Sequence, residues 1–73
     1  MYLILYLGTS EFIKNYKGVT LKYWHKENCE AAIHEMVNNK YSNKFYKCNN
    51  LPLAYNRPLF IFEDFEPVEV PDE

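Results

Sequence analysis

The stretch YLILYL, residues 2–7, decides the fold, because it predicts a strand that is apolar on both sides. Side chains alternate along a strand, so the three leucines point to one face of a sheet while Tyr2, Ile4 and Tyr6 point to the other. A second apolar run, LFIF at residues 59–62, predicts another strand of the same kind. The sequence offers one convincing helix, which covers only one face. We therefore expect the second face to be covered by a loop of this chain, by a second copy or by another protein.

Size and composition predict one small folded domain. A chain of 73 residues buries only about 60–65% of the surface that it exposes when unfolded, so its margin of stability is small. Its content of 48% hydrophobic residues is too high for a disordered chain. The first apolar stretch lacks the basic start and cleavage site of a signal peptide, and no run is long enough to span a bilayer. We expect a cytoplasmic protein in which Cys29 and Cys48 are thiols.

Charge is distributed unevenly along the chain. Residues 1–57 hold all eight basic side chains and four acidic ones, whereas residues 58–73 hold six acidic side chains and no basic one. The chain therefore has a basic body, residues 1–57, and an acidic end, residues 58–73.

Local patterns place most of the elements. After Gly8, residues 9–17 fit either a bent strand that turns at Lys17-Gly18 or a short capped helix, and we favour the hairpin, with a return strand at residues 19–24. A helix is predicted from an N-cap at Asn28 to residues 40–42. Its buried stripe follows the i, i+3, i+4 spacing and consists of Cys29, Ala32, Ile33, Met36 and Val37.

The second half of the chain predicts two further strands. One is expected at residues 44–48, followed by an apolar loop at residues 51–57 that partly covers a sheet face. The other begins after Pro58 and ends at Glu66-Pro67. The predicted fold class is α+β, a small antiparallel or mixed sheet of about four strands in β-β-α-β-β order with one amphipathic helix on one face. We divide the chain into one domain, residues 1–66, and an acidic tail, residues 67–73.

No metal, cofactor or catalytic motif is predicted. Cys29 and His34 are five residues apart, about 140° around a helix, so they do not face one ion together. Cys29 lies in the buried stripe, where a thiol acts as a small hydrophobe. The only glycines are Gly8 and Gly18, which rules out a glycine-rich phosphate loop. We expect a protein without enzymatic activity.

Lysines interleaved with aromatic residues suggest a nucleic-acid-binding face as an alternative. Cationic grooves with exposed aromatic rings bind single strands. The pI near 5.6 lacks the basic excess typical of phosphate binders, so nucleic acid is the weaker expectation. The residues of this alternative face are Lys14, Lys22, Trp24, Lys44 and Tyr46.

The acidic end predicts a surface that binds another protein. It fits a solvated terminus, a segment folded back on the basic body, or a contact with a basic patch on another macromolecule, and the interleaved apolar residues favour the last. Its carboxylates would steer a basic partner while its apolar side chains anchor it. The predicted partner-binding residues are Glu63, Asp64, Phe65, Glu66, Val68, Glu69 and Val70.

The abundance of Asn, Lys, Tyr and Ile resembles the composition of accessory proteins from AT-rich bacteriophage genomes. Many of those proteins bind and inhibit host machinery. The resemblance implies an inhibitor that occludes a basic or nucleic-acid-binding surface of a host protein by stoichiometric contact. A structural homodimer that covers its own spare sheet face is the competing hypothesis.

Overall fold

The predicted first strand is the central strand of a three-stranded antiparallel sheet of order β2-β1-β5. The computed structural model describes residues 1–71. Its elements are β1 (Tyr2–Tyr6), β2 (Glu11–Phe12), α1 (Lys26–Val37), α2 (Asn43–Cys48), β3 (Leu53–Ala54), β4 (Arg57–Pro58), a 3₁₀ turn (Phe62–Asp64) and β5 (Phe65–Glu69). This arrangement confirms a small α+β fold with one main helix, although the expected order β-β-α-β-β lacked α2 and placed the strands of the second half differently.

Helix α1 carries the predicted stripe but begins and ends earlier than expected. It starts at Lys26, and its N-cap is His25 rather than Asn28. It ends because Asn39 adopts a left-handed φ of 61°. The Asn39 N–H then donates to Met36 O and the Lys40 N–H to Glu35 O, the two bonds of a Schellman motif.

The predicted strand at residues 44–48 is wrong, because these residues belong to helix α2. The Ser42 hydroxyl accepts from the Phe45 N–H at 3.3 Å and caps the helix. The consecutive aromatics Phe45 and Tyr46 are both buried, which a half-exposed strand would not allow. Helix α2 thus adds two rings to the core.

The hairpin favoured for residues 9–24 is present in short form. Lys14 bridges Thr20, and Tyr2 bridges Tyr23 on the side of β1 that carries β2. At the turn the Asn15 side chain accepts the N–H groups of residues 17 and 19. Gly18 follows with a φ of 86°, which favours glycine.

The predicted last strand is also wrong in position. Residues 59–61 are irregular, and the strand that pairs with β1 is β5, so the chain does not leave the sheet at Glu66-Pro67. The Asp64 carboxylate accepts from the Ile61 N–H at 3.0 Å and turns the chain before β5 begins. The boundary that we drew between residues 66 and 67 falls inside β5.

The loop at residues 51–57 folds into the β3–β4 hairpin. Its turn residues Tyr55 and Asn56 have φ values of 52° and 63°, typical of a tight hairpin turn. Leu51 is buried in the core and Leu53 packs against it. The core joins the sheet to both helices and consists of Ile4, Tyr6, Ile13, Cys29, Ala32, Ile33, Met36, Phe45, Tyr46, Leu51, Phe60 and Phe65.

Candidate interaction surface

Alternation along β1 divides the sheet into an inner and an outer face. Ile4 and Tyr6 are buried in the core with Phe65, the partner of Tyr6 on β5. Leu5 pairs with Phe12 on β2, so both residues point away from the core. We call the outer side the open face, and its apolar residues are Leu3, Leu5, Leu7, Phe12, Val68 and Val70.

The open face carries apolar side chains that the described chain leaves accessible. Leu7 is 49% exposed and Phe12 is 40% exposed, whereas Leu3, Leu5 and Val68 are half-buried. Within residues 1–71, no open-face residue belongs to the core or is among the side chains packed against it. The segment 51–57 does not supply the missing cover, since its leucines pack into the core.

Opposite charges flank the two sides of the open face. Lys22 lines a shallow hollow with Met1, Leu3 and Val70, on the side of β1 that carries the β2 hairpin. Lys14 follows Phe12 by two residues, so the strand period puts it on the same face. On the other side, Glu66 pairs with Leu5 and is exposed. The face is therefore basic along one border and acidic along the other.

The predicted partner-binding residues are divided among four environments. Phe65 is buried in the core. Val68 and Val70 lie on the open face beside the exposed Glu66, so these three form one surface. Asp64 is half-buried, and its carboxylate accepts a hydrogen bond from the Ile61 N–H.

The two remaining acidic residues of that set, Glu63 and Glu69, are exposed. Glu69 pairs with Tyr2, and its charge, followed by burial, raises the pKa of the Tyr2 phenol. Asp72 and Glu73 of the predicted tail lie outside the described residues.

The outer edge of β5 carries a proline that disfavours a further strand. The Leu7 N–H donates to Asp64 O and the Val70 N–H to Met1 O, so the ladder is hydrogen-bonded at these positions and at alternate positions between them. Pro67, opposite Ile4, occupies a position that does not bond β1, and its nitrogen faces the outer edge. Because proline has no N–H, an added strand would meet a missing donor there.

The residues of the alternative nucleic-acid face are not brought together. Tyr46 is fully buried, and its hydroxyl donates to Met36 O at 2.7 Å, so its ring presents no surface to a base. Lys14 and Lys22 border the open face, and Trp24 is 67% exposed beside the start of α1. Lys44 is exposed on α2.

Lys44 lies beside the exposed aromatic ring of Tyr16. Its Nζ lies 5.5 Å from the centroid of Tyr16, and the Nζ of Lys17 lies 5.9 Å from the same centroid. These are cation–π distances. Phe12 was not predicted as a site residue, because its place on the open face depends on the register of the hairpin rather than on local composition.

Residues 1–71 hold no group of three or more His, Cys, Asp and Glu side chains placed to bind a metal ion. Cys29 and Cys48 are both free thiols, as predicted. Over the same residues, no helix has the length and apolar character needed to cross a membrane.

No family model matches this chain, and no curated protein and no solved structure shows significant similarity to it.

Proposed function

We propose that this is a non-enzymatic protein that acts by stoichiometric contact, with the open face as its binding surface. The observation that carries the proposal is the exposure of Leu7 and Phe12 on a sheet face whose opposite side is fully packed. Aromatic and aliphatic side chains that become desolvated at the centre of an interface commonly dominate its energy.

Charges beside the open face define the kind of partner that fits. Glu66 borders the face, and Glu63 and Glu69 are exposed on the same segment of the chain. A partner that places basic groups against this border and apolar groups against Phe12 complements both features. Complementary charges raise the association rate and fix the register, and their effect weakens with salt. Where the partner is a different protein, occlusion of a basic surface on it is the functional consequence that we propose.

A pair of matched substitutions tests the proposal. Phe12→Asn removes an aromatic ring from the open face, whereas Tyr55→Asn removes one from the β3–β4 turn, where the side chain is 99% exposed. We expect immobilised wild type and Tyr55→Asn to retain the same protein, either an added untagged copy or a component of a lysate from the source cell, and Phe12→Asn to lose it. Equal retention by all three would contradict the proposal.

Single-stranded nucleic acid at Tyr16 is a second candidate, favoured by one observation. The Tyr16 ring is 59% exposed, and two lysine ammonium groups lie within 6 Å of its centroid. Exposed rings beside cations bind bases and phosphates with little sequence preference. A fluorescent oligonucleotide at low salt would test it: Tyr16→Asn should abolish the anisotropy change that Tyr55→Asn preserves.

A further inference from the structure

We propose that the occupant of the open face is a second copy of this chain, packed face to face as a two-sheet sandwich with a two-fold axis parallel to β1. This inference rests on the proposed function and names its partner. It predicts that the border carrying Lys14 and Lys22 in one copy faces the border carrying Glu66 in the other.

A symmetric dimer requires a surface that is complementary to itself. The open face meets this condition because its apolar centre is flanked by Lys14 and Lys22 on one side of β1 and by Glu66 on the other. A partner with only basic groups would complement the Glu66 border and leave the border of Lys14 and Lys22 without an opposite charge. A partner with only acidic groups would do the reverse. A second copy satisfies both borders at once.

The orientation of the axis follows from the charges. Two facing sheets related by a two-fold axis have that axis in the plane between them. When it runs across the strands, basic borders lie over basic borders and acidic over acidic, which is unfavourable. When it runs parallel to β1, each basic border lies over an acidic one. The second arrangement is also the aligned packing of sheets, with layers about 10 Å apart and strands about 30° from parallel.

Both edges of the sheet carry a feature that disfavours association through added strands. At β5, Pro67 faces outward without a donor. On the hairpin side, the Asn49 carboxamide forms hydrogen bonds with both the N–H and the C=O of Lys14, at 2.8 Å each. The face is the remaining route by which the sheet can extend its packing.

The size of the open face sets the expected affinity. The β1–β5 ladder runs from Met1 to Leu7 and β2 adds only Glu11–Phe12, so with strands about 4.8 Å apart the patch is at most roughly 14 by 23 Å. This is below the area that each partner contributes to a standard interface. We therefore expect a reversible dimer with a dissociation constant in the micromolar range, about 10⁻⁶ to 10⁻⁴ M.

Charge reversal with complementation tests both the partner and the axis. Lys22→Glu and Glu66→Lys change exposed side chains, so the fold should persist, and circular dichroism verifies this. Sedimentation equilibrium should show each single variant dimerising more weakly than wild type, by up to about tenfold, since each reversal places like charges along both pairs of facing borders. An equimolar mixture of the two variants should regain the affinity of wild type as a heterodimer.

Matched controls carry the same charge changes away from the open face. Lys40→Glu lies just after α1, and Glu35→Lys is exposed on α1, which packs on the inner face. We expect both to dimerise as wild type does, and their mixture to gain nothing.

Three results would overturn the inference. A wild type that stays monomeric up to about 1 mM excludes the dimer. A dimer that Lys22→Glu and Glu66→Lys leave intact, or whose mixture is not rescued, excludes this face and axis. A monomer that still retains a different protein through Phe12 overturns this inference while leaving the proposed function standing. Loss of that retention as well would remove both.

Discussion

The Asn49 carboxamide takes the place of a neighbouring strand for Lys14. Its Oδ1 accepts from the Lys14 N–H, and its Nδ2 donates to Lys14 O, both at 2.8 Å. Nδ2 also donates to Phe45 O at 3.0 Å, so one buried side chain joins the hairpin to α2. Two backbone groups that would otherwise require a strand partner are thereby satisfied.

Asn49→Ala should destabilise the fold substantially. The change leaves the Lys14 N–H and C=O without their partner in a largely buried site, and we expect a loss of about 2–3 kcal/mol in the free energy of unfolding. Urea denaturation measures it. Asn28→Ala, an exposed position on α1, is the control and should shift stability by no more than about 0.5 kcal/mol. A small effect at Asn49 would mean that water replaces the carboxamide.

Substitution should destabilise the fold at both glycines, but for different physical reasons. A Cβ at Gly8 would lie 2.5–2.8 Å from the ring and hydroxyl atoms of Tyr6, a core residue, so Gly8→Ala and Gly8→Asn should both cost about 1–3 kcal/mol. At Gly18 nothing lies within 4 Å of the added atom, but φ is +86°. Gly18→Asn should therefore cost less than Gly18→Ala, because asparagine tolerates positive φ better.

Thermal or urea denaturation of the four glycine variants checks this contrast. Equal costs for Ala and Asn at Gly18 would contradict the backbone explanation. A neutral Gly8→Ala would contradict the close approach of Tyr6.

Stability should fall at alkaline pH because of Tyr23. Burial, then the neighbouring Tyr41, Cys29 and Glu35, raises the pKa of its phenol from 10.0 to about 12. Below pH 10 both states keep the proton, so the contribution is complete; between pH 10 and about 12 the unfolded chain releases it first, and the free energy of unfolding decreases.

Urea denaturation at pH 10 and at about pH 12 measures the decrease. Tyr23→Phe should reduce the drop between these two values, because it removes the ionising group. Tyr55→Phe, at the exposed β3–β4 turn, controls for the loss of a phenol as such. An identical drop in Tyr23→Phe and wild type would sink the prediction.

The two thiols should differ in reactivity. Cys29 is fully buried on α1, and burial, followed by the charge of Glu30, raises the pKa of its thiol. Cys48 is half-buried, with Sγ 3.1 Å from Phe45 O. Iodoacetamide followed by mass spectrometry should modify Cys48 in the native protein and Cys29 only on unfolding. Cys48→Ser should then show no native labelling, and rapid labelling of that variant would contradict the burial of Cys29.

Local patterns were sufficient for the elements that have a clear period. The YLILYL run identified β1, and the stripe from Cys29 to Met36 identified the buried side of α1. Helix α2 was missed because six residues show too little periodicity, and its Ser42 cap was assigned to the end of a longer α1. β5 was missed because the segment FEPVE, with a proline and two glutamates, reads locally as a tail.

The open face was only partly predictable for the same reason. The leucines of β1 predicted an outer apolar face from the sequence alone. Phe12 and Val68 join that face through pairings with Leu5 and Leu3, and a shift of one residue in either pairing would turn them inward. The register of β5 is set by pairs that lie 59 to 67 residues apart along the chain, which local patterns do not encode.

Short chains rich in apolar residues are prone to stack into cross-β fibres when a strand at the rim of a sheet recruits identical strands. Pro67 interrupts that templating, because the incoming chain finds no donor at the midpoint of the rim. Pro67 therefore disfavours unlimited polymerisation through the strand edge, while the apolar open face remains available for a finite assembly. We expect the chain to associate through the open face without forming fibres.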